Sequence, residues 1–221
     1  MKFLHTTLII VTIGLFTSCT VLTPSGPNVP LFREKGEKMV NANLIAGEET
    51  LGAEVKGAIA TGNHFYLGGN LTVVSFGAGA RTPWPGEEGR GTGYMTELGA
   101  GGFGKIGTDG IFDMSGGIGF GSSFSDQLMK IYLQPAIGFR RKKVEFATGI
   151  KATYLNSKSD RWEEGKSNNF ILEPFLLGRF GGEKTKFQAG INFPTVVATD
   201  AWSGTVPNLT LGVIFRFGKA K

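Results

Sequence analysis

Residues 144–154 have the sequence VEFATGIKATY, and this stretch decides the fold class. Its even-numbered positions, from Val144 to Tyr154, carry mostly apolar side chains, whereas its odd-numbered positions carry polar or small ones such as Glu145 and Lys151. Alternation at every second residue places one set on each face of a β-strand, and no helix separates side chains in this way. The stretch therefore predicts a strand with one apolar face and one polar face.

The same alternation recurs from Lys38 to the end of the chain. Each alternating segment is roughly 10 to 13 residues long, which is the length of a tilted strand that crosses a membrane in a β-barrel. We count about ten segments by this length criterion; eight is the alternative if the first hairpin is assigned wrongly, since bacterial barrels of this kind have an even number of strands. The sequence predicts an all-β fold, an antiparallel up-and-down transmembrane β-barrel over residues 38–218.

The predicted connections alternate between tight turns and longer loops. Gly62-Asn63 and residues 181–184 are predicted turns, whereas residues 77–92 and 121–127 are predicted loops. Bacterial outer-membrane barrels have short turns on the periplasmic rim and longer loops on the outer rim. With an even number of strands, both ends of the barrel then lie on the periplasmic rim.

We interpret residues 1–18 as a signal peptide that is not part of the fold. Lys2 supplies a positive charge, and residues 8–16 form an apolar run of signal-peptide length that is too short to span a membrane. Residues 19–37 follow, with three prolines and no apolar period. This composition predicts an extended tether between Cys19 and the barrel.

The end of the signal segment, Phe-Thr-Ser-Cys at residues 16–19, resembles a bacterial lipobox. The resemblance implies a lipoprotein signal peptide, cleavage before Cys19 and acylation of Cys19 with a fatty acid such as palmitate. Together with the tether, the Gly-rich strands and the Phe-rich last strand, it makes the chain similar to small outer-membrane β-barrel proteins of Bacteroidota-type bacteria. The similarity implies a monomer in the bacterial outer membrane, with its N-terminus on the periplasmic side and membrane lipid as its main partner.

The polar face of the strands carries ionisable residues of nearly balanced sign. They are Glu54, Lys56, Glu97, Asp113, Lys130, Glu145, Lys151, Glu173, Arg179 and Arg216. Unpaired charges inside a narrow barrel would be costly, so we expect these side chains to form an ion network across the lumen. The network predicts a mostly closed lumen and a structural or surface-interaction role. A narrow pore or transport protein for small solutes is the alternative.

All three tryptophans, Trp84, Trp162 and Trp202, fall in predicted long loops of one rim. We interpret them as outer-rim aromatics that anchor the barrel at the membrane interface. The alternative is a surface site for a glycan, a lipid or another envelope protein.

Other functions lack the residues that they require. The net charge of +5 is spread along the chain, which argues against nucleic acid as a partner. One cysteine and two histidines form no cluster that predicts a metal site, and residues 99–104 match GxGxxG without the helix that a nucleotide site needs. His5 leaves with the signal peptide, and His64 has no evident Ser or acid partner. We predict no catalytic residue, no cofactor and no metal, and therefore no enzyme.

One rival architecture shares the alternating strands. A soluble, lipocalin-like barrel on a lipid tether would bind an apolar ligand inside, which requires its apolar face to point inward. Charges on the other face of nearly every strand favour lipid outside and a polar lumen. The direction of Val144, Phe146 and Ile150 distinguishes the two architectures.

Overall fold

A computed structural model of the chain describes residues 25–47, 50–76, 91–123, 126–159, 166–197 and 207–218. These ranges form eleven β-strands, namely β1 (Lys38–Gly47), β2 (Thr50–Ala60), β3 (Phe65–Phe76), β4 (Gly91–Ile106), β5 (Gly110–Ser123), β6 (Asp126–Arg140), β7 (Val144–Ser159), β8 (Lys166–Gly181), β9 (Thr185–Asn192), β10 (Thr195–Val196) and β11 (Asn208–Phe217). No helix in the described ranges is long and apolar enough to cross a membrane.

The strands form one closed antiparallel barrel. Each strand from β1 to β8 pairs with its neighbour in sequence, β11 pairs with β1 and β9, and β9 closes the ring against β8. β9 and β10 continue one register along β8 and are separated only at Phe193-Pro194, because proline has no N–H to donate to the ladder. The two segments are one barrel strand, so the barrel has ten. This confirms the prediction of about ten strands and excludes eight.

Alternation along the strands sets which side chains face out. Val144, Phe146 and Ile150 are 50%, 41% and 47% exposed on the outer surface, while Glu145 and Lys151 between them are buried in the lumen. The apolar face therefore points outward, as in a transmembrane barrel with lipid outside. The lipocalin-like alternative, which needs apolar side chains inside, is wrong.

The two rims of the barrel differ in their connections. On the short-turn rim, residues 61–64, 107–109, 141–143 and 182–184 join the strands, and β1 begins and β11 ends there. We call the opposite end the long-loop rim. One predicted loop there, residues 121–127, is mostly strand, because Ser122 and Ser123 pair with Gln127 and Asp126 across the hairpin. Small polar residues that suggest a loop in sequence also fit the end of a strand.

Candidate functional site in the barrel lumen

The barrel encloses residues 25–33, which we call the lumen segment. It has no regular secondary structure, and it extends from Arg33, beside Asp109 at the short-turn rim, to Ser25, which donates a hydrogen bond to Glu97. Glu97 lies closer to the long-loop end of its strand. The segment therefore passes through more than half of the lumen. The predicted tether is extended, as expected for its prolines, but residues 25–33 of it lie inside the barrel, and residues 34–36 are exposed at the short-turn rim.

Apolar side chains of the lumen segment fill pockets in the barrel wall. Val29, Leu31 and Phe32 are completely buried. Val29 and Leu31 pack in a cluster that includes Phe175, and the ring of Phe32 meets Tyr66 edge-on with centroids 5.7 Å apart. Burial of three large side chains stabilises the seated segment by several kcal/mol, at about 1.5 to 3 kcal/mol each.

Inward-facing glycine leaves room for one of these side chains. A Cβ atom on Gly138 would lie 2.3 Å from Cδ2 of Leu31, far inside van der Waals contact. Leu31 itself has a φ of 53°, in the left-handed region that a bulky residue seldom adopts. Such a conformation costs about 1 to 3 kcal/mol. The close packing of the Leu31 side chain against Gly138 offsets that cost.

Polar side chains of the wall bind the backbone of the lumen segment, which has no strand partner of its own. These contacts, donor first, are Gly26 N to Glu54 Oε2 (3.2 Å), Lys56 Nζ to Pro27 O (3.0 Å), Asn28 N to Gln134 Oε1 (3.3 Å), Gln134 Nε2 to Asn28 O (2.8 Å), Arg179 Nη2 to Val29 O (2.7 Å) and Arg140 Nη1 to Leu31 O (2.9 Å). Buried backbone groups without partners would oppose insertion of the segment. The charged wall thus satisfies the hydrogen bonds that a strand would supply.

Five of the sequence-predicted network residues form an acid–lysine cluster around Ser25. It consists of Glu54, Lys56, Glu97, Lys130 and Lys151, all of which are buried. Lys56 pairs with Glu54, and Lys130 pairs with Glu97. Lys151 Nζ lies 3.4 Å from Glu97 and 3.1 Å from the Ser25 hydroxyl. The first residue of the lumen segment is therefore held by the same charges that pair with one another.

A second group, the arginine cluster, surrounds Glu145 near the short-turn rim. Its three guanidinium groups belong to Arg140, Arg179 and Arg216, which approach the carboxylate at 3.5, 3.2 and 2.7 Å. Arg179 also donates to Gln188 at 2.8 Å. Sequence analysis included all of these charges except Arg140. One carboxylate compensates three cations here, and among the described residues only Arg140 has a second acid partner, Glu37, at 2.5 Å.

The remaining predicted network residues, Asp113 and Glu173, accept hydrogen bonds from neutral side chains. Asp113 accepts a 2.7 Å hydrogen bond from the Tyr66 hydroxyl. Glu173 lies opposite Lys151 in the β7–β8 ladder and accepts hydrogen bonds from Thr153 and Asn192, both at 3.3 Å. All ten predicted residues are buried, in two clusters with Asp113 and Glu173 beside them.

The other features considered in the sequence are the acylated cysteine, the three tryptophans, the GxGxxG match and metal binding. Cys19, Trp84, Trp162 and Trp202 lie outside the described residues. The GxGxxG match at residues 99–104 lies within β4, so it has the context of a strand and not of a nucleotide site. Among the described residues, no group of three or more His, Cys, Asp or Glu could hold a metal ion.

The short-turn rim carries its own ion pairs. Asp109, in the β4–β5 turn, accepts a 2.9 Å hydrogen bond from Arg141 and lies 3.6 Å from Arg33. The hydrogen bond from Arg141, with the charge of Arg33, holds the pKa of the Asp109 carboxyl below its ordinary value. Asp109 therefore stays ionised and helps to fix the point where the lumen segment enters the barrel.

Comparison with known proteins supports the fold. No family model and no curated protein matches the chain. The chain is similar to an outer membrane channel from Pseudomonas putida F1, with a TM-score of 0.54 and 9% identity over 87% of this chain and 100% of that chain. It also matches the outer membrane protease OmpT from Escherichia coli, with a TM-score of 0.45 and 11% identity over 90% and 99% of the two chains. The translocator domain of autotransporter NalP from Neisseria meningitidis matches with a TM-score of 0.43 and 12% identity over 98% and 95%. The chain has the fold of outer-membrane β-barrels.

Sequence analysis missed the lumen segment. The prolines predict an extended tether, but this prediction takes no account of the apolar residues between and after them. Three large apolar side chains within the four residues from Val29 to Phe32 are unusual for a solvated tether, and they were the available indication that this stretch is buried.

Proposed function

We propose that the protein is a lipid-anchored barrel of the bacterial outer membrane whose lumen is closed by its own N-terminal segment. The observation that carries this proposal is the seating of residues 25–33 inside the wall, with apolar side chains in pockets and backbone groups bound by wall charges. A lumen filled in this way favours a structural or surface-interaction role over solute passage. Envelope proteins or surface glycans are the partners that we propose for its outer rim.

The direction of the lumen segment also bears on the anchor. Sequence analysis placed the N-terminus on the periplasmic side. Ser25, however, is held by Glu97, Lys130 and Lys151, and the first two lie in the halves of β4 and β6 nearer the long-loop rim. Cys19 is six residues before Ser25, a reach of about 20 Å if extended. A return to the short-turn rim would have to pass the segment that already fills the lumen.

We therefore propose that the mature N-terminus leaves the barrel at the long-loop rim, which faces the cell exterior in such barrels. Acylation of Cys19, as the lipobox resemblance implies, would then anchor the chain in the outer leaflet. Labelling of the wild type by a palmitate analogue, without labelling of Cys19→Ala, is the result expected for acylation. Protection of that lipid from reagents confined to the cell exterior would contradict the outward direction.

Planar-bilayer conductance tests the closed lumen. We expect the purified wild-type protein to give no steady single-channel current, because the lumen segment and the two charged clusters fill the barrel. A variant that lacks residues 25–33 removes the apolar plug and the backbone contacts, and we expect currents to appear. Heat-modified mobility on gels provides the control that the deletion variant still forms a barrel. Large, steady currents in the wild type would contradict closure and favour the narrow pore.

A further inference from the structure

A basin of about 480 Å³ opens at the short-turn rim, beneath the entry of the lumen segment. Its lining includes eight basic side chains and four acidic ones. Inward-facing Glu145, Lys186 and Arg216 form part of its wall, so the basin belongs to the mouth of the lumen and opens to water rather than to lipid. A cavity of this size accommodates a small molecule.

Cations at the base of the basin exceed the acids that pair with them. Arg216 is 7% exposed and donates from Nη2 to Glu145, but its Nε and Nη1 atoms have no hydrogen-bond partner among the described residues. Glu145 also forms ion pairs with Arg179 and Arg140, so its single negative charge cannot compensate the positive charges of all three arginines. A buried guanidinium with free donors is costly unless another acceptor reaches it.

Lys186 adds to this surplus of positive charge. It is buried, and its ammonium donates to the carbonyl oxygens of Lys142 and Gly182, the latter at 2.7 Å, rather than to an acid. Exposed Lys105 and Lys184 extend the positive lining outward. Like charges around a concave, partly desolvated surface concentrate a field that attracts anions of high charge.

We propose that this basin binds a soluble, multivalent anion that carries phosphate groups. Phosphate oxygens accept from guanidinium and ammonium donors at once, and a charge of two or more offsets the local surplus. Arg216 is the specificity-determining residue, since its side chain lines the basin and its buried Nε and Nη1 donors have no hydrogen-bond partner among the described residues. The exposed lysines strengthen binding by long-range attraction. Anion binding at this basin requires neither an open nor a closed lumen.

The test is calorimetric titration of the purified, detergent-solubilised full chain with pyrophosphate at constant ionic strength in chloride. We expect saturable binding, weakened about tenfold or more in Arg216→Gln, because a charge-assisted hydrogen bond is lost. Because Arg216→Gln also disturbs the pairing of Glu145, two exposed variants serve as a second measure. Lys184→Gln should weaken binding about threefold and Glu183→Gln should strengthen it by about the same factor.

Lys158→Gln, a described residue near the long-loop rim, is the matched control and should bind as the wild type does. Citrate tests the anion class, and we expect it to bind more weakly than pyrophosphate. Absence of saturable binding, or equal affinity in the wild type, Lys184→Gln and Glu183→Gln, would overturn the site. Tighter binding of citrate would overturn the assignment to phosphate.

Discussion

Glu145→Gln should destabilise the barrel by about 3 to 5 kcal/mol, because it removes the carboxylate that three buried or half-buried arginines share. A glutamine keeps the shape of the side chain but supplies no charge, so Arg179 and Arg216 would remain buried without an acid within ion-pair distance. The measurement is the free energy of unfolding in urea, with the protein refolded into lipid vesicles. Glu183→Gln is the matched control, since its pair with Lys142 is exposed and should contribute only about 0 to 1 kcal/mol.

A double-mutant cycle with Arg216→Gln separates the charge interaction from the loss of packing. The sum of the losses in unfolding free energy of the two single variants should exceed the loss in the double variant by roughly 0.5 to 3 kcal/mol. The reason is that the second substitution removes a cation that the first left unpaired. Strictly additive effects, or a loss from Glu145→Gln no larger than that from Glu183→Gln, would contradict the arginine cluster.

Ile150→Arg should cost about 2 to 4 kcal/mol, the second largest effect that we expect. Ile150 faces outward near the middle of β7, so the substitution places a guanidinium against the centre of the bilayer. Val144→Arg lies on the same face of the same strand at its rim, where the cost should fall to about 0 to 1 kcal/mol. Unfolding from vesicles measures both, and equal small losses at the two depths would show that this face does not meet lipid.

The strand pattern was predictable because alternation is a local property. Phe146 and Ile150 face outward, and Glu145 and Lys151 inward, for the same reason that successive side chains alternate on any strand. The hairpin at Gly121 to Gln127 was assigned wrongly, since Gly and Ser are compatible with both a loop and a strand end.

The alternation of residues along each strand predicts which side chains face the lumen, but not which of them contact one another. Glu145 meets Arg216 across the lumen, 71 residues away in sequence, and this contact depends on how the barrel closes and not on neighbouring strands. Asp113 was expected in an ion pair and accepts instead from the Tyr66 hydroxyl. The lumen segment was missed for a related reason: its apolar residues indicate burial, but no local pattern shows that the barrel formed by the rest of the chain has a cavity of matching shape.

Disulfide cross-linking tests the seating of the lumen segment most directly. In a Cys19→Ser background, Leu31→Cys and Gly138→Cys place two thiols where the Leu31 side chain now contacts the wall. A disulfide joins Cβ atoms about 3.5 to 4.5 Å apart, so the bond requires the backbone of the lumen segment to lie close against β6. Ile137→Cys, paired with Leu31→Cys, is the control, since Ile137 is adjacent in sequence but faces outward. Oxidation in isolated outer membranes should join Leu31→Cys to Gly138→Cys and leave the control pair unlinked. Failure of the first pair to cross-link in a correctly folded barrel, or equal cross-linking of both pairs, would contradict a lumen closed by its own N-terminal segment.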